Sequence, residues 1–406
     1  MQLVEQHVMK HTDSRYQAID EAAFASKNLY NAANYVIRQA FIHEGTYLCY
    51  EEMHTRMKTH EAYCALPRKV SQQVLRLLHK NWVSFFKALK AYEHDPSQFL
   101  GRPSLPKYKN KQHGRNVLVY TIQALSKSAL KHGMIVPSGL PIKVETQHQN
   151  VDQVRIVPRS GYYVVEVVYE QAETQADVDP TLYAGIDIGI DNLAMLTSNK
   201  AGFVPRSVNG RPLKSINQYY NKHRAILQSN LTKQYPNRHT SQRLELLTNK
   251  RTRRIDHYLH TASKRIIDLL VAEGIGTLVI GKNPHWKQEV NIGKRNNQTF
   301  VNIPHARFIE MLTYKAKLVG MAVIVTEESY TSKCSFLDRE LIGKHEQYMG
   351  KRVKRGLFRA STGQHINADV NGSYNIVRKV VPDAFGQRNR GCVVHPVRLH
   401  VQTVCR

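Results

Sequence analysis

The chain has 406 residues, more than one ordinary domain, and 42% are hydrophobic, enough for packed cores and against global disorder. Lys and Arg number 58 against 32 Asp and Glu, a formal charge of +26 spread over the whole length rather than held in one tail. Such an excess points to a nucleic acid ahead of a lipid surface or a ribosome, because each phosphate neutralised by a basic side chain releases counterions.

In chain order, residues 2–10 read as a short strand. From about Asp20 the apolar positions Ala22, Ala25, Leu29, Ala33, Val36, Ala40 and Phe41 recur at helical steps until Gly45 ends the run. A second helix follows Pro67 and Ser71, with Val74, Leu78, Trp82, Phe85 and Leu89 on one face, and Asp95-Pro96 stops it. The Pro-rich segment Gly101–Lys109 is a stiff basic loop. Beyond it Val117–Thr121, Met134–Val136, Ile142–Thr146, Val154–Val157 and Tyr162–Tyr169 read as strands of a β-barrel-like module. Gln171–Pro180, polar and acidic, reads as a linker.

Tyr183–Ile188 and Leu193–Thr197 are then expected as a hairpin around Gly189, followed by a long basic helical region over Ser215–Leu270. Thr277–Ile280 reads as a strand, Phe308–Leu318 as a helix and Ala322–Thr326 as another strand, the alternation of an α/β domain. No apolar run approaches the roughly 20 residues of a membrane span, and the N-terminus lacks a signal-peptide stretch. A cytosolic protein with no membrane partner is therefore expected.

Two acidic positions carry the chemistry. Asp187 ends an apolar strand within Gly185-Ile186-Asp187-Ile188-Gly189-Ile190, where a carboxylate is costly unless it is paired or holds a cation. Taken singly, that pattern also suits an ATP-binding fold or an ordinary strand-end turn. Asp369, in Asn367-Ala368-Asp369-Val370-Asn371-Gly372-Ser373-Tyr374-Asn375-Ile376, precedes a helix and could equally serve as its N-cap. As a pair they fit two-metal phosphodiester cleavage, which gathers carboxylates from separate chain segments around magnesium.

These two motifs resemble the first and third RuvC motifs of the TnpB family of transposon-encoded proteins. Tyr330-Thr331-Ser332-Lys333-Cys334-Ser335 resembles the opening of that family's zinc ribbon, and the run from Arg102 to Lys109 is similar to a segment of its β-barrel module. The resemblance spans nearly the whole chain in family order. It implies a multidomain α+β protein: a helical REC bundle (16–98) inserted in a wedge β-barrel (1–15 and 99–180), then an α/β RuvC nuclease of RNase H type (181–380) and a tail (381–406). It further implies a monomeric protein that binds a guide RNA from its transposon's end, reads a short motif in double-stranded DNA and cuts beside it using two Mg2+ (or Mn2+) ions.

The chain departs from the family pattern twice. The second RuvC carboxylate normally ends the strand that finishes here at Ile280, where Gly281 stands. Either the protein is an RNA-guided binder without cleavage, or the carboxylate has moved. The next strand runs into Glu327 and Glu328; successive residues point to opposite faces, so only one can reach the metals, and Glu328 is favoured, with Glu289 a weaker candidate. The expected triad is thus Asp187, Glu328 and Asp369. A transposase joining DNA ends through the same acidic site is a further alternative. The second departure is the insert at about 331–362, where Cys334 has no cysteine partner. None of the five cysteines (Cys49, Cys64, Cys334, Cys392, Cys405) forms a CxxC pair, so no structural zinc is expected and Phe336, Leu337, Leu357 and Phe358 are expected to pack in its place.

Candidate phosphate contacts are Lys107 and Lys109 flanking the stacking candidate Tyr108, Arg251, Arg253, Arg254 and Lys264 on the long helix, Lys282 beside the acidic site, and Lys351, Arg352, Lys354 and Arg355 in the insert. Trp286, near Lys282 and Lys287, is a candidate for stacking on single-stranded DNA.

Overall fold

The computed structural model describes residues 1–283, 302–386 and 393–401; Trp286, Lys287 and Glu289 lie outside them. The chain divides into two units, Met1–Gln171 and Ala172–Arg406. The division falls where composition marks the linker.

The first unit holds strands β1 (Gln2–Lys10), β2 (Leu118–Thr121), β3 (Met134–Ile135), β4 (Val144–Glu145), β5 (Val151–Arg159) and β6 (Tyr162–Glu170). Helices α1 (Tyr16–His43), α2 (Tyr50–Met57), α3 (Glu61–Cys64) and α4 (Arg68–His94) fall between β1 and β2 in the chain, and α5 (Lys127–Lys131) follows β2. Gly45, past the end of α1, takes φ +67°, a backbone conformation suited to glycine.

The apolar stripes of α1 and α4 meet as their periodicity requires. Leu29, Ala33 and Ile37 share one core with Val74, Leu78 and the fully buried Trp82. The Trp82 indole N–H donates to Asn34 Oδ1 at 3.0 Å, so its polar edge is satisfied.

Strands β1, β6, β5 and β2 form an antiparallel sheet in that order, and β3 pairs with β4 separately. This corrects the expected β-barrel. Among the described residues β1 and β2 are the two edges and do not pair with each other, so the sheet stays open. β2 is only four residues long and runs at once into a turn of 3-10 helix, and α4 packs on it. The helices therefore cover apolar surface that a barrel would have buried by closing on itself.

The second unit is built on a six-stranded sheet with the order β11-β10-β7-β8-β9-β15. Its members are β7 (Asp179–Asp187), β8 (Asn192–Ser198), β9 (Arg206–Asn209), β10 (Ile275–Gly281), β11 (Ala322–Thr326) and β15 (Val397–Leu399). β10 runs parallel to both β7 and β11, Ile280 pairing with Ile186 and Gly281 with Thr326. The long helical region is two helices, α6 (Arg211–Gln234) and α7 (Gln242–Ala272), parted where Pro236 cannot continue a helix and Ser241 caps the next one. Two further helices are α8 (His305–Leu318) and α9 (Ala368–Val380). A small sheet, β12 (Lys351–Lys354), β13 (Leu357–Arg359) and β14 (His365–Asn367), occupies the insert. In the tail, β15 pairs in parallel with β9, an element that the sequence pattern does not announce.

The two-residue strand period sorts the side chains of the central sheet. Ala184, Ile186, Leu278 and Ile280 lie in one core with Leu259, Ile266 and Leu270 of α7 and Phe308 and Leu312 of α8. Their neighbours Gly185 and Gly281 face α9 instead: a Cβ on Gly185 would stand 2.7 Å from Val377, and one on Gly281 2.6 Å from Ile376.

Candidate active site

The carboxyl ends of the parallel strands β7, β10 and β11 lie side by side, the edge at which open α/β sheets commonly bind ligands. Asp187 is the last residue of β7, on the face covered by α9. Gly372 of that helix leaves it room, since a Cβ there would stand 2.8 Å from Asp187 Oδ2. Asp187 keeps some accessible surface at the floor of a cleft of about 480 Å3 but is enclosed by protein on its other sides. Burial holds its pKa well above the usual carboxylate range, and the nearby Glu328 and Asp369 push the same way.

Glu328 reaches this edge from two residues beyond β11. Its Oε2 lies 2.8 Å, and its Cβ 3.2 Å, from where a Cβ on Gly281 would stand, so the side chain occupies space that glycine leaves. Oε1 accepts from Asn283 Nδ2 at 3.1 Å. Oε2 is buried with no hydrogen-bond partner. Burial raises this carboxyl to about 7, with Lys379 opposing. Glu327, on the other side of the backbone, is exposed.

Asp369 stands in the first turn of α9. It is not the cap: Asn367 accepts from the backbone N–H groups of Asp369 and Val370 at 3.0 and 3.2 Å. That leaves the Asp369 carboxylate to face the cleft, where Asn192 Nδ2 donates to Oδ2 at 2.8 Å and Arg352 lies 3.5 Å from Oδ1.

The rest of the third motif is structural. Ser373 Oγ lies 2.9 Å from Gly185 O and 3.0 Å from Met195 O, joining α9 to β7 and β8. Asn371 donates to Cys334 O at 2.9 Å and accepts from Phe336 N–H at 2.9 Å, and Asn375 donates to Thr331 O and Cys334 O. All three side chains are fully buried. Two asparagines one helical turn apart thus hold the 331–336 turn at the base of the insert. Within the insert Phe336 and Phe358 share a core with Ile366 and Tyr374, Phe336 stacking on Tyr374 at 4.3 Å, while Leu337 packs at the edge.

The donor set is hard carboxylate oxygen, one of them buried and unpartnered, which suits magnesium or manganese. Among the described residues no three His, Cys, Asp or Glu side chains form a ready ligand cluster. Glu328 is instead held by Asn283, and Asp369 by Asn192 and Arg352.

The cleft rim is basic. Arg352 and Arg355 line it, as do Arg211 and Arg398, which sequence reasoning missed because only the folding of α6 and the pairing of β15 bring them there. Arg355 contacts Asp191, which also takes Lys214 at 2.6 Å. Lys351 and Lys354 are exposed on the same hairpin, and Lys282 is exposed just past β10.

The other cationic candidates divide. Lys107, Tyr108 and Lys109 are exposed on a loop fastened to α1, where Asn31 exchanges two 2.9 Å hydrogen bonds with the Lys109 backbone and the Arg38 guanidinium lies over the Tyr108 ring. Arg253 and Arg254 are exposed on α7, and Lys264 is paired with Asp268. Arg251 corrects the expectation of a phosphate contact. Its guanidinium turns inward, donating to Asn217 Oδ1 at 2.7 Å and Asn302 O at 2.8 Å and lying over the Tyr220 ring.

Residues 166–287 match the family model OrfB_IS605, described as "Probable transposase", and residues 305–376 match the Cas12f1-like TNB domain. A curated relative, TnpB-like protein ORF457 of Acidianus two-tailed virus, is 24% identical over 391 residues, covering 88% of this chain and 82% of that protein. A Cas12f1 solved with sgRNA and target DNA is similar in fold, with a TM-score of 0.53, 16% identity, and coverage of 89% of this chain and 81% of that one. By these matches the chain is similar to the OrfB_IS605 transposases over residues 166–287. Over most of its length it is similar to a TnpB-like protein. No helix among the described residues is long and apolar enough to cross a membrane.

Proposed function

We propose that this chain is an RNA-guided, metal-dependent DNA endonuclease of transposon origin, with a nuclease site formed by Asp187, Glu328 and Asp369. The observation that carries the reading is the buried, unpartnered Oε2 of Glu328, seated in the space of Gly281 beside Asp187. A buried carboxylate oxygen without a donor is costly, and a divalent cation would satisfy it. The fold shared with a Cas12f1 solved with sgRNA and target DNA supports RNA and DNA as partners.

Bound between these carboxylates, two Mg2+ or Mn2+ ions would supply an activated water and a counter-charge for the leaving 3′ oxygen. The chain's own residues do the remainder. Asp187 is fixed at the strand end, Glu328 closes one side from β11, and Asp369 faces them from α9. Arg352 lies against Asp369 and must swing away for that carboxylate to take a ligand; its place is then along the phosphate backbone with Arg211, Arg355 and Arg398. No zinc is assigned to the insert, whose core is apolar.

A second reading, guided binding without cleavage, has its own observation: the three carboxylates do not form a ready cluster. One experiment separates the two. The chain is co-expressed with RNA from its transposon end and given Mg2+ and plasmid carrying a matched target beside a randomised motif, alongside Asp187→Ala, Glu327→Ala and Glu328→Ala. RNA-dependent cutting that survives Glu327→Ala and dies with the other two is expected. Guided binding without cutting, in Mg2+ or Mn2+, would establish the second reading.

A further inference from the structure

We infer that Asn283 is the positioning residue for Glu328; the inference rests on the reading of Glu328 as a metal ligand. The backbone N–H of Lys282 donates to Thr326 O at 2.8 Å, carrying the β10–β11 ladder one step past Gly281. The next residue, Asn283, then lies opposite the segment that bears Glu328. Its carboxamide makes two contacts with that one residue: Oδ1 accepts from the Glu328 backbone N–H at 3.2 Å, and Nδ2 donates to Oε1 at 3.1 Å.

Only a side chain with a donor and an acceptor on one carbon can hold main chain and carboxylate together in this way. The main chain of Glu328 has a second anchor, since its carbonyl accepts from the Thr331 hydroxyl at 2.8 Å. The carboxylate has none: among the described residues Asn283 is its one hydrogen-bond donor. The clasp takes Oε1 and leaves Oε2 bare over Gly281, toward Asp187. Glu328 stands past the end of β11, where no strand ladder fixes its backbone, and Asn283 removes that freedom before any ligand arrives.

The test uses the full-length chain stripped of nucleic acid, with Mn2+ alone as the probe and electron paramagnetic resonance as the readout of free ion. Asn283→Ala is expected to weaken Mn2+ binding about ten-fold, as loss of a group supporting a metal ligand commonly does. The melting temperature of the metal-free protein should stay near that of the parent. On a Glu328→Ala background, Asn283→Ala should cost nothing more. Asn283→Asp, which removes the donor and adds a like charge, should weaken binding at least as much as Asn283→Ala. Unchanged affinity in Asn283→Ala, or an equal further loss on the Glu328→Ala background, would overturn the inference while leaving the site reading intact. Unchanged affinity in Glu328→Ala itself would remove the site reading, and the inference with it.

Discussion

Gly281 and Glu328 share one volume. The Glu328 Oε2 lies 2.8 Å from the point where a Cβ on Gly281 would stand, and the two residues come from neighbouring parallel strands whose register pairs Gly281 with Thr326. A glycine contributes no side chain to a sheet, so the space at the end of β10 is open to a neighbour. Here the occupant is a carboxylate.

Substituting Gly281→Ala should therefore act through Glu328. The added methyl meets Ile376 Cδ1 at 2.6 Å and Glu328 Oε2 at 2.8 Å, so both side chains must shift, the carboxylate among them. Overpacking of this kind costs about 1–3 kcal/mol. Guided cleavage should fall by more than ten-fold, since small misplacements of reacting groups are costly. Thermal unfolding and single-turnover cleavage of the variant check both parts; cleavage at the parent rate would mean that the Glu328 position is not used.

The metal-free protein should lose stability as pH rises toward neutrality. Burial raises the Glu328 carboxyl to about 7, and burial also raises Asp187. The folded chain then holds protons that the unfolded chain releases near the ordinary carboxylate pKa of about 4.5. Between those values the folded state binds more protons, so stability declines as pH climbs from about 4.5 to 7 and levels off for Glu328 above that. With partial solvent contact the Glu328 share is on the order of 2 kcal/mol. Glu328→Gln should flatten the slope without abolishing it, because Asp187 remains. Urea midpoints in EDTA at pH 5, 6 and 7.5 measure this directly; an unaltered slope in the variant would locate the proton elsewhere.

Arg251 and Arg254, three residues apart on α7, should behave oppositely. Arg251→Ala leaves Asn217 Oδ1 without its Arg251 donor and Asn302 O with only the longer 3.5 Å bond from Asn217 Nδ2; it should cost about 1–3 kcal/mol of stability, with the salt dependence of RNA binding unchanged. Arg254→Ala should leave the melting temperature alone and lower the slope of log affinity against log salt by about one, if the exposed face of α7 contacts phosphates. Melting curves and a salt titration on both variants distinguish the roles.

Periodicity and strand alternation made most of the framework legible in the sequence. Gln2–Lys10 and Ala322–Thr326 lie where the pattern places them, and the hairpin through Gly189 pairs Asp187 with Met195. Short elements escaped. β9, β15 and the strands of the insert have too few residues to show a period, and they exist only through their partners. Strand pattern suggests a barrel where the sheet is open, because it says nothing of whether edges meet. At the site, Gly281 was readable as a vacancy for a neighbour's side chain. The roles of Asn371, Ser373 and Asn375 had a signal that went unused: polar residues two and four apart within an otherwise apolar helix start are costly unless each has a partner. Arg211 and Arg398 left none, since distant chain segments deliver them to the cleft.

The grip of Asn371 and Asn375 on the 331–336 turn has a consequence for how this insert can vary over evolutionary time. The stem of the insert is clamped by the same helix that carries Asp369, so the two are registered to each other. Within 337–364, Phe358 packs with Tyr374 of that helix and Arg352 lies on Asp369, so these positions belong to the socket and the remainder is its cap. Lengthening the cap, shortening it or exchanging its internal stabilisation alters the surface beside the cleft while the acidic residue stays in place.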